Sequence, residues 1–285
     1  MDAEQLREAT YALLPDWRES GSQPTNWTFL EGGYSNLNYA FEMMDNRYVL
    51  RVSRNGTDRE HEQRWYRRLP ADVGVRPVAY DSNTGNMILP WVEGELLIDY
   101  WTRLCADKAT DVVLRNHQAQ LLAYLKSLHQ RLPPVQRTYD ALTDTLQIAA
   151  SERIDSATET CALPASVAQW ITCHNDLNPW NIIIDPTGRW ITLDWEWVGL
   201  NDPLFDVVGL HQGLLLNEGC YELCYAYLDA DDEQVRSRVR AALGMFWQRE
   251  LDFADAQIAR GNGRTEILQQ QRTAGARLAD LDAIT

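Results

Sequence analysis

The chain has 285 residues, of which 45% are hydrophobic and 24% charged, a composition typical of a globular protein with one large or two medium domains. The 41 acidic residues outnumber the 26 Lys and Arg, and the net charge of −15 argues against nucleic acid or an anionic membrane as a partner, since both need clustered cations. No apolar run of about 18 residues exists, so no membrane span is predicted.

The N-terminus and the cysteines indicate a compartment. The first 17 residues include acidic side chains and no long apolar stretch, so no signal peptide is expected. The five cysteines are scattered and form no CxxC pair, which favours free thiols in a cytoplasmic protein. The acidity is compatible with a small cationic ligand, and eleven Trp supply either core or cation-binding faces.

Hydrophobic periodicity and turn residues predict the following elements in chain order: a helix over Asp2–Leu14, strands over Trp27–Leu30, Tyr39–Met43 and Arg47–Val52, a helix over Asp58–Leu69, a strand over Met87–Val92, and helices over Ala109–Arg131, Cys220–Tyr227 and Val235–Ile258. This order predicts an α+β fold. We expect a β-rich N-terminal nucleotide-binding lobe over residues 1–90, a hinge over 91–95 and a mainly helical catalytic and substrate-binding lobe over 96–285.

The stretch between Trp170 and Asp206 contains the residues best suited to chemistry. Asp176 and Asn181 precede an apolar strand, Pro and Gly mark a turn, and a second strand ends on Asp194. Such a hairpin returns Asp194 to the end where Asp176 and Asn181 lie. Two carboxylates and an amide are therefore expected to converge where Mg²⁺ and phosphate oxygens could bind.

The spacing His-x-Asp-x-x-x-x-Asn, from His174 to Asn181, is that of a kinase catalytic loop, and Asp194 follows Asn181 by 13 residues, where a metal-binding Asp is expected. In this layout Asp176 accepts the proton of the substrate hydroxyl, while Asn181 and Asp194 hold Mg²⁺. The alternative is an ordinary hairpin with acidic turns. Four matched positions in order favour the kinase interpretation.

Four short strings resemble the choline/ethanolamine kinase family, a neighbour of the aminoglycoside phosphotransferases: CHNDL at 173–177, NII at 181–183, LDWEW at 193–197 and FDV at 205–207. The resemblance implies a bilobal protein-kinase-like fold, ATP and Mg²⁺, and a small cationic alcohol as substrate, with choline first and ethanolamine or thiamine next. The sequence departs from the family pattern at Trp195 and Trp197, where Phe and Tyr are usual, and in having Pro179 and Trp180 before the Asn.

A glycine pair upstream is a candidate phosphate loop. Glycines let backbone N–H groups approach phosphate, although a plain hairpin turn has the same composition. The string GGYSNLNY, residues 32–39, is similar to the choline-kinase loop. The resemblance implies nucleotide contacts from Gly33, Ser35 and Asn36.

Arg51 stands where protein kinases carry the phosphate-binding Lys of their third strand, and a surface cation on an edge strand is the alternative. The kinase layout needs one Glu on the next helix to orient this cation, and the spacing favours Glu62 over Glu60. Trp91 lies in the predicted hinge and is expected to line the adenine-binding site.

The remaining roles follow from the resemblance. His174 is expected to buttress the catalytic loop, and Asp206 to brace it or to act as an acidic residue at a helix N-terminus. His129 is expected to be a packed core residue. The candidates for the wall and countercharge of a cation-binding pocket are Asn175, Trp195, Glu196, Trp197, Tyr221 and Trp247. Aromatic residues at helical spacing are equally expected in a core.

Two rival functions remain open. An aminoglycoside phosphotransferase shares the fold, and acidic loops also suit a polycationic substrate. A non-catalytic nucleotide-binding scaffold is the other, although all the expected acids and the Asn are present. The sequence predicts no oligomeric state.

Overall fold

The computed structural model describes residues 1–31, 36–54, 59–106, 111–140, 145–148, 170–214, 216 and 219–283. Within these ranges the helices are α1 (Ala3–Leu13), α2 (Pro15–Glu19), α3 (Arg59–Arg68), α4 (Leu97–Ala106), α5 (Asp111–Arg131), α6 (Leu204–Gly213), α7 (Cys220–Leu228), α8 (Glu233–Ala259) and α9 (Thr265–Ala283). The strands are β1 (Thr25–Leu30), β2 (Asn36–Met43), β3 (Asn46–Ser53), β4 (Ala79–Tyr80), β5 (Met87–Pro90), β6 (Glu95–Leu96), β7 (Arg137–Asp140), β8 (Thr145–Ile148), β9 (Ile171–Cys173), β10 (Ile182–Ile184), β11 (Trp190–Thr192) and β12 (Gly199–Asn201). The predicted α+β class, β-rich at first and mainly helical later, is confirmed.

The chain forms two compact units. Unit 1 comprises Met1–Leu96 and Ile182–Glu196, and unit 2 comprises Leu97–Asn181 and Trp197–Thr285. The β10–β11 hairpin therefore belongs to the same unit as the N-terminal strands, although chain order places it far from them.

Unit 1 is built on a five-stranded antiparallel sheet in the order β1-β2-β3-β5-β4. Alternate residues of β2 point to one face of this sheet, where α1 also contributes a leucine. The buried cluster on that face consists of Leu6, Tyr39, Phe41, Met43, Leu50 and Ile88. Helix α1 begins at a capping box, in which the Asp2 side chain accepts the N–H of Gln5 at 2.9 Å.

A second sheet of unit 1 has the order β11-β10-β6 and holds the hairpin that ends near Asp194. Gly94, just before β6, has φ of 150°. A Cβ at this position would lie 2.4 Å from the backbone oxygen of Ile184. Only glycine permits this close approach of β6 to β10.

Unit 2 combines a four-stranded sheet, in the order β8-β7-β12-β9, with helices α4 to α9. Strands β7 and β8 form a hairpin that the sequence analysis did not predict, because Arg137–Asp140 lacks a clear alternation of apolar and polar residues. Helix α6 packs against α7 and α8, and α8 packs along α9. None of the described helices combines the length and hydropathy needed to cross a bilayer.

Candidate active site

The Asp176 loop, residues 174–181, follows β9 and ends in a single 3-10 turn over Pro179–Asn181. The Asn181 amide nitrogen donates to the Asp176 carboxylate at 3.1 Å and to its carbonyl oxygen at 3.0 Å. Asn178 donates to the other carboxylate oxygen at 3.3 Å. The Asp176 side chain is nevertheless 30% exposed. Two amides thus orient a carboxylate that solvent still reaches.

Asp206, in the first turn of α6, holds the backbone of this loop. Its buried carboxylate accepts the N–H of His174 at 2.7 Å and the N–H of Asn175 at 2.8 Å. His129 Nε2 lies 3.0 Å from the same carboxylate, and the Tyr227 hydroxyl lies 2.7 Å from His129 Nδ1. Burial alone would raise the pKa of Asp206, but the hydrogen bond and charge of His129 and the backbone N–H of His174 keep it below the ordinary value. Asp206 is therefore an anion that supports the loop.

The first two residues of the loop are internal supports. His174 is fully buried, and its Nδ1 accepts the backbone N–H of Asp176 at 3.2 Å. Asn175 has a left-handed backbone with φ of 66°. Its amide donates to the Trp197 carbonyl at 2.9 Å and its oxygen accepts from Asn201 at 2.9 Å. Contrary to the prediction of a substrate contact, the Asn175 side chain is buried and engaged with the protein's own polar groups.

Arg249 of α8 also reaches the loop, and the sequence analysis missed it. Its Nη1 donates to the carbonyl oxygen of Asn175 at 2.7 Å, and its Nη2 lies 3.5 Å from an oxygen of Asp176. The guanidinium carbon lies 5.2 Å from the ring centre of Phe205 and 5.7 Å from that of Phe246. Nothing in the local sequence distinguishes this arginine from others on α8, so only the fold could identify it.

In unit 1, Arg51 forms a buried ion-pair network. Its Nη2 lies 2.5 Å from Glu62 and its Nη1 lies 2.9 Å from Asp194. Tyr80, which the sequence analysis did not single out, donates its hydroxyl to Glu62 at 2.8 Å. Glu60 is exposed, and its carboxylate lies 3.6 Å from the guanidinium of an exposed arginine on the same helix, α3. Glu62 is thus the residue of α3 that orients the Arg51 guanidinium, while the Asp194 side chain remains 33% exposed.

Burial and neighbouring charges have opposite effects on the pKa values of Arg51 and Glu62. Burial would lower the pKa of Arg51, but Glu62, Tyr66, Asp194 and Glu196 raise it, so the guanidinium stays charged. The pKa of Glu62 is raised by burial, an effect that Arg51 partly offsets.

Asn36 and Glu196 meet within unit 1. The Asn36 amide nitrogen lies 3.4 Å from a Glu196 oxygen, and both residues are buried. Burial and the neighbouring Asp194 raise the pKa of Glu196. The Asn36 side-chain oxygen is buried and has no hydrogen-bond partner among the described residues. The predicted phosphate contacts Gly33 and Ser35 lie outside the described residues.

Trp91 follows β5, and its ring contacts the guanidinium of Arg47 in the same unit. The guanidinium carbon of Arg47 lies 3.6 Å from the ring centre of Trp91, a close cation–π contact. The Trp91 Nε1 is buried without a hydrogen-bond partner among the described residues. One face of the indole is therefore already covered by a side chain of the protein.

The four aromatic candidates for a cation-binding wall have different environments. Trp195 is fully buried, its ring centre is 5.4 Å from that of Trp65, and its Nε1 donates to the Thr192 carbonyl. Trp195 is therefore a core residue, contrary to the predicted substrate contact. Burying its large ring stabilises the fold because it removes apolar surface from water. Trp247 is 8% exposed. Trp197 and Tyr221 are half-buried.

Among the described residues, His129, Cys173 and Asp206 bring their potential metal-ligand atoms within 4.8 Å of one another. All three are buried, Asp206 is engaged as described above, and the Cys173 thiol donates to Asn201. Burial raises the pKa of Cys173, so it stays a thiol. This cluster is structural. Asn181 of unit 2 carries a side-chain amide, and Asp194 of unit 1 carries a half-buried carboxylate; each has oxygen donors of the kind that Mg²⁺ prefers.

Comparison with known proteins supports the kinase-like interpretation. LicA of Haemophilus influenzae is 54% identical over 35 residues, which are 12% of this chain and 13% of the relative's own length. The structure of choline kinase LicA from Streptococcus pneumoniae has a TM-score of 0.66, with 15% identity over 97% of this chain and 99% of that chain. A spectinomycin phosphotransferase crystallised with ADP and spectinomycin has a TM-score of 0.63, with 11% identity over 99% of both chains.

These structural likenesses confirm the predicted kinase-like α+β fold, which choline kinases and antibiotic phosphotransferases share. At such low identity they show the fold alone. A family profile described as the phosphotransferase enzyme family matches residues 26–246, which is more than half of the chain. The chain therefore belongs to the phosphotransferase enzyme family.

Proposed function

We propose that the protein transfers the γ-phosphoryl group of ATP to the hydroxyl of a small cationic amino alcohol, with choline as the first candidate and ethanolamine or thiamine next. Family membership and the short segment of high identity with LicA support this assignment. The net charge of −15 is compatible with a cationic substrate.

The observation that carries the proposal is the construction of the Asp176 loop. The carboxylate of Asp176 is held by the amide of Asn181, and the backbone before it is held by the buried anion Asp206. This combination leaves a partly exposed carboxylate in a fixed orientation, as the acceptance of a proton from an alcohol requires. A protein that only binds nucleotide has no need of it.

In the proposed reaction the substrate hydroxyl donates a hydrogen bond to Asp176 and its oxygen attacks the γ-phosphorus. The bond from the γ-phosphorus to the β,γ-bridging oxygen breaks, ADP leaves, and the hydroxyl proton passes to Asp176. Arg249 and Asn181 keep the carboxylate in place. His174 and Asp206 act on the loop backbone and touch no reacting atom.

We propose that Asn181 and Asp194 are the protein ligands of Mg²⁺. When bound, the ion would neutralise the negative charge of the phosphates. Arg51, oriented by Glu62, is proposed to contact the nucleotide phosphates, and Trp91 to lie beside adenine. Gly33, Ser35 and Asn36 are the proposed contacts of the glycine loop.

The experiment is a substrate panel of choline, ethanolamine, thiamine, homoserine and an aminoglycoside with Mg²⁺ and ATP. ADP release and the mass of the phosphorylated product are both measured. We expect choline to give the highest kcat/KM, and we expect Asp176→Asn to lower kcat by about 10²–10⁴-fold while ATP still binds. Equal turnover by Asp176→Asn would refute the assignment of the base.

The aminoglycoside phosphotransferase is the second candidate, favoured by the similarity to the spectinomycin enzyme. The same panel separates the two, because an antibiotic-dependent rate without a choline-dependent rate would establish the rival. A scaffold without catalysis predicts ATP binding and no phosphorylated product from any member of the panel.

A further inference from the structure

Glu250 of α8 is a second carboxylate next to the Asp176 loop, and the proposed reaction does not use it. Its Oε1 lies 3.1 Å from Nη2 of Arg249. The same guanidinium nitrogen lies 3.5 Å from Oδ1 of Asp176. One nitrogen therefore joins the two carboxylates, and their oxygens can be no further apart than the sum of these distances, about 6.6 Å. All three residues belong to unit 2.

Two donors set the position of the Glu250 carboxylate. Successive side chains of a helix point about 100° apart, so the contact between the neighbours Arg249 and Glu250 means that the Glu250 side chain turns towards the guanidinium. Gln270 of α9 donates to the other oxygen, Oε2, at 2.7 Å. A carboxylate has about four lone pairs that can accept hydrogen bonds. Because the side chain is 23% exposed, it can still accept a donor from a ligand.

The charges of this group favour a cationic ligand. The carboxylates of Asp176 and Glu250 share the single positive charge of Arg249, which leaves one excess negative charge on the three side chains. The amides of Asn181 and Gln270, which also hold the carboxylates, are neutral. The guanidinium is 14% exposed, whereas the carboxylates of Asp176 and Glu250 are 30% and 23% exposed. A ligand therefore has better access to the negative groups than to the positive one.

Stabilisation of Arg249 alone does not require Glu250. The guanidinium already contacts Asp176 and donates to the carbonyl oxygen of Asn175 at 2.7 Å. Glu196, the countercharge that the family resemblance suggests, is buried in unit 1. Glu250 is more accessible than Glu196, and it lies in the same unit as the proposed base.

We propose that Glu250 binds the ammonium group of the substrate whose hydroxyl lies at Asp176. This role rests on the proposed function and adds to it the residue that recognises the cation. In an alcohol with two carbons between oxygen and nitrogen, these two atoms are about 3–4 Å apart, since each single bond is about 1.5 Å long. With a polar contact of about 2.8 Å at each end, such a molecule reaches across the gap between the two carboxylates. A primary ammonium would donate a charge-assisted hydrogen bond to Glu250, whereas a trimethylammonium group would be held by charge alone.

The test compares the preference for a charged substrate in the wild type and in Glu250→Gln, which keeps the size of the side chain and removes its charge. The cationic alcohol that the wild type phosphorylates is paired with its neutral isostere; for choline this is the alcohol in which a tert-butyl group replaces the trimethylammonium group. We expect the wild-type kcat/KM to favour the cation by at least about tenfold, and Glu250→Gln to reduce this preference by about tenfold. The change should appear in the KM for the cation, with kcat and the KM for ATP little changed, because the ion pair is already present in the bound substrate.

Asp255 provides a matched control on the same pair of helices. Its exposed carboxylate accepts the amide of Gln271 of α9 at 2.5 Å, much as Glu250 accepts that of Gln270. Asp255→Asn removes the same charge from α8 and should leave the preference for the cation unchanged. Glu250→Asp keeps the charge and should retain more of the preference than Glu250→Gln.

Three outcomes would count against this role. An equal fall in kcat/KM for both alcohols of the pair in Glu250→Gln would overturn it, since a purely structural residue affects both alike, while the proposed phosphoryl transfer would stand. An equal loss of preference in Asp255→Asn would also overturn it, because the charge of the whole molecule would then be responsible. If the wild type phosphorylates no cationic alcohol, the proposed function is itself refuted, and the role of Glu250 with it.

Discussion

Replacing Arg249 with methionine should both destabilise the protein and slow the proposed phosphoryl transfer. Methionine keeps much of the apolar volume that packs on Phe205 and Phe246 while it removes the charge and the donors. The lost bond to the Asn175 carbonyl is a hydrogen bond from a charged group at 2.7 Å, which contributes about 1.5–3 kcal/mol. The contact with Asp176 adds at most about 1 kcal/mol, because it is 3.5 Å long and that carboxylate is 30% exposed.

The expected loss in unfolding free energy is thus about 1.5–4 kcal/mol, measured by urea denaturation. Steady-state kinetics with the substrate found in the panel should show kcat reduced by about 10–100-fold with the KM for ATP little changed, because a misplaced base affects the chemical step. Arg249→Lys should restore part of kcat. Arg236 is exposed on the same helix, so Arg236→Met is the matched control and should leave both quantities unchanged.

A result in which Arg249→Met retains wild-type stability and kcat would refute the reasoning. It would mean that Asn178 and Asn181 alone orient Asp176, and that the buried cation serves only packing. A loss of stability with unchanged kcat would limit Arg249 to a structural role.

Three other predictions follow from the same contacts. Folding lowers the pKa of Asp206, so the stability that its carboxylate contributes is present above the unfolded pKa of about 3.9 and is lost as pH falls through the folded pKa. The difference in unfolding free energy between the wild type and Asp206→Asn should therefore shrink below about pH 4. Glu62→Gln leaves the Arg51 charge without its buried partner and should cost about 3 kcal/mol in thermal or urea unfolding and raise the KM for ATP, while the exposed Glu60→Gln should do neither. Trp180 is 53% exposed in the Asp176 loop, where its ring is accessible to a cation, so Trp180→Ala should raise the KM for a quaternary ammonium substrate severalfold, with Trp180→Phe intermediate and stability unchanged.

The sequence was enough to locate the residues of the Asp176 loop and the glutamate that faces Arg51. The spacing from His174 to Asn181 sets a loop between short elements, and such spacing is a property of the chain itself. The helical position of Glu62 on α3 likewise distinguishes it from Glu60, which is two residues away and cannot lie on the same helix face. The α+β class follows from the same local periodicities.

What only the tertiary structure decided is which distant side chains support these residues. Arg249, Tyr80 and Tyr227 lie on elements whose own sequences contain no signal for their partners, and Trp195 proved to be core where its neighbours in a motif suggested a surface. Buried polar groups must find hydrogen-bond partners wherever the fold brings them, however far apart they are in the chain. Local patterns therefore predict elements and motifs, whereas long-range packing determines the supports that hold a motif in a working geometry.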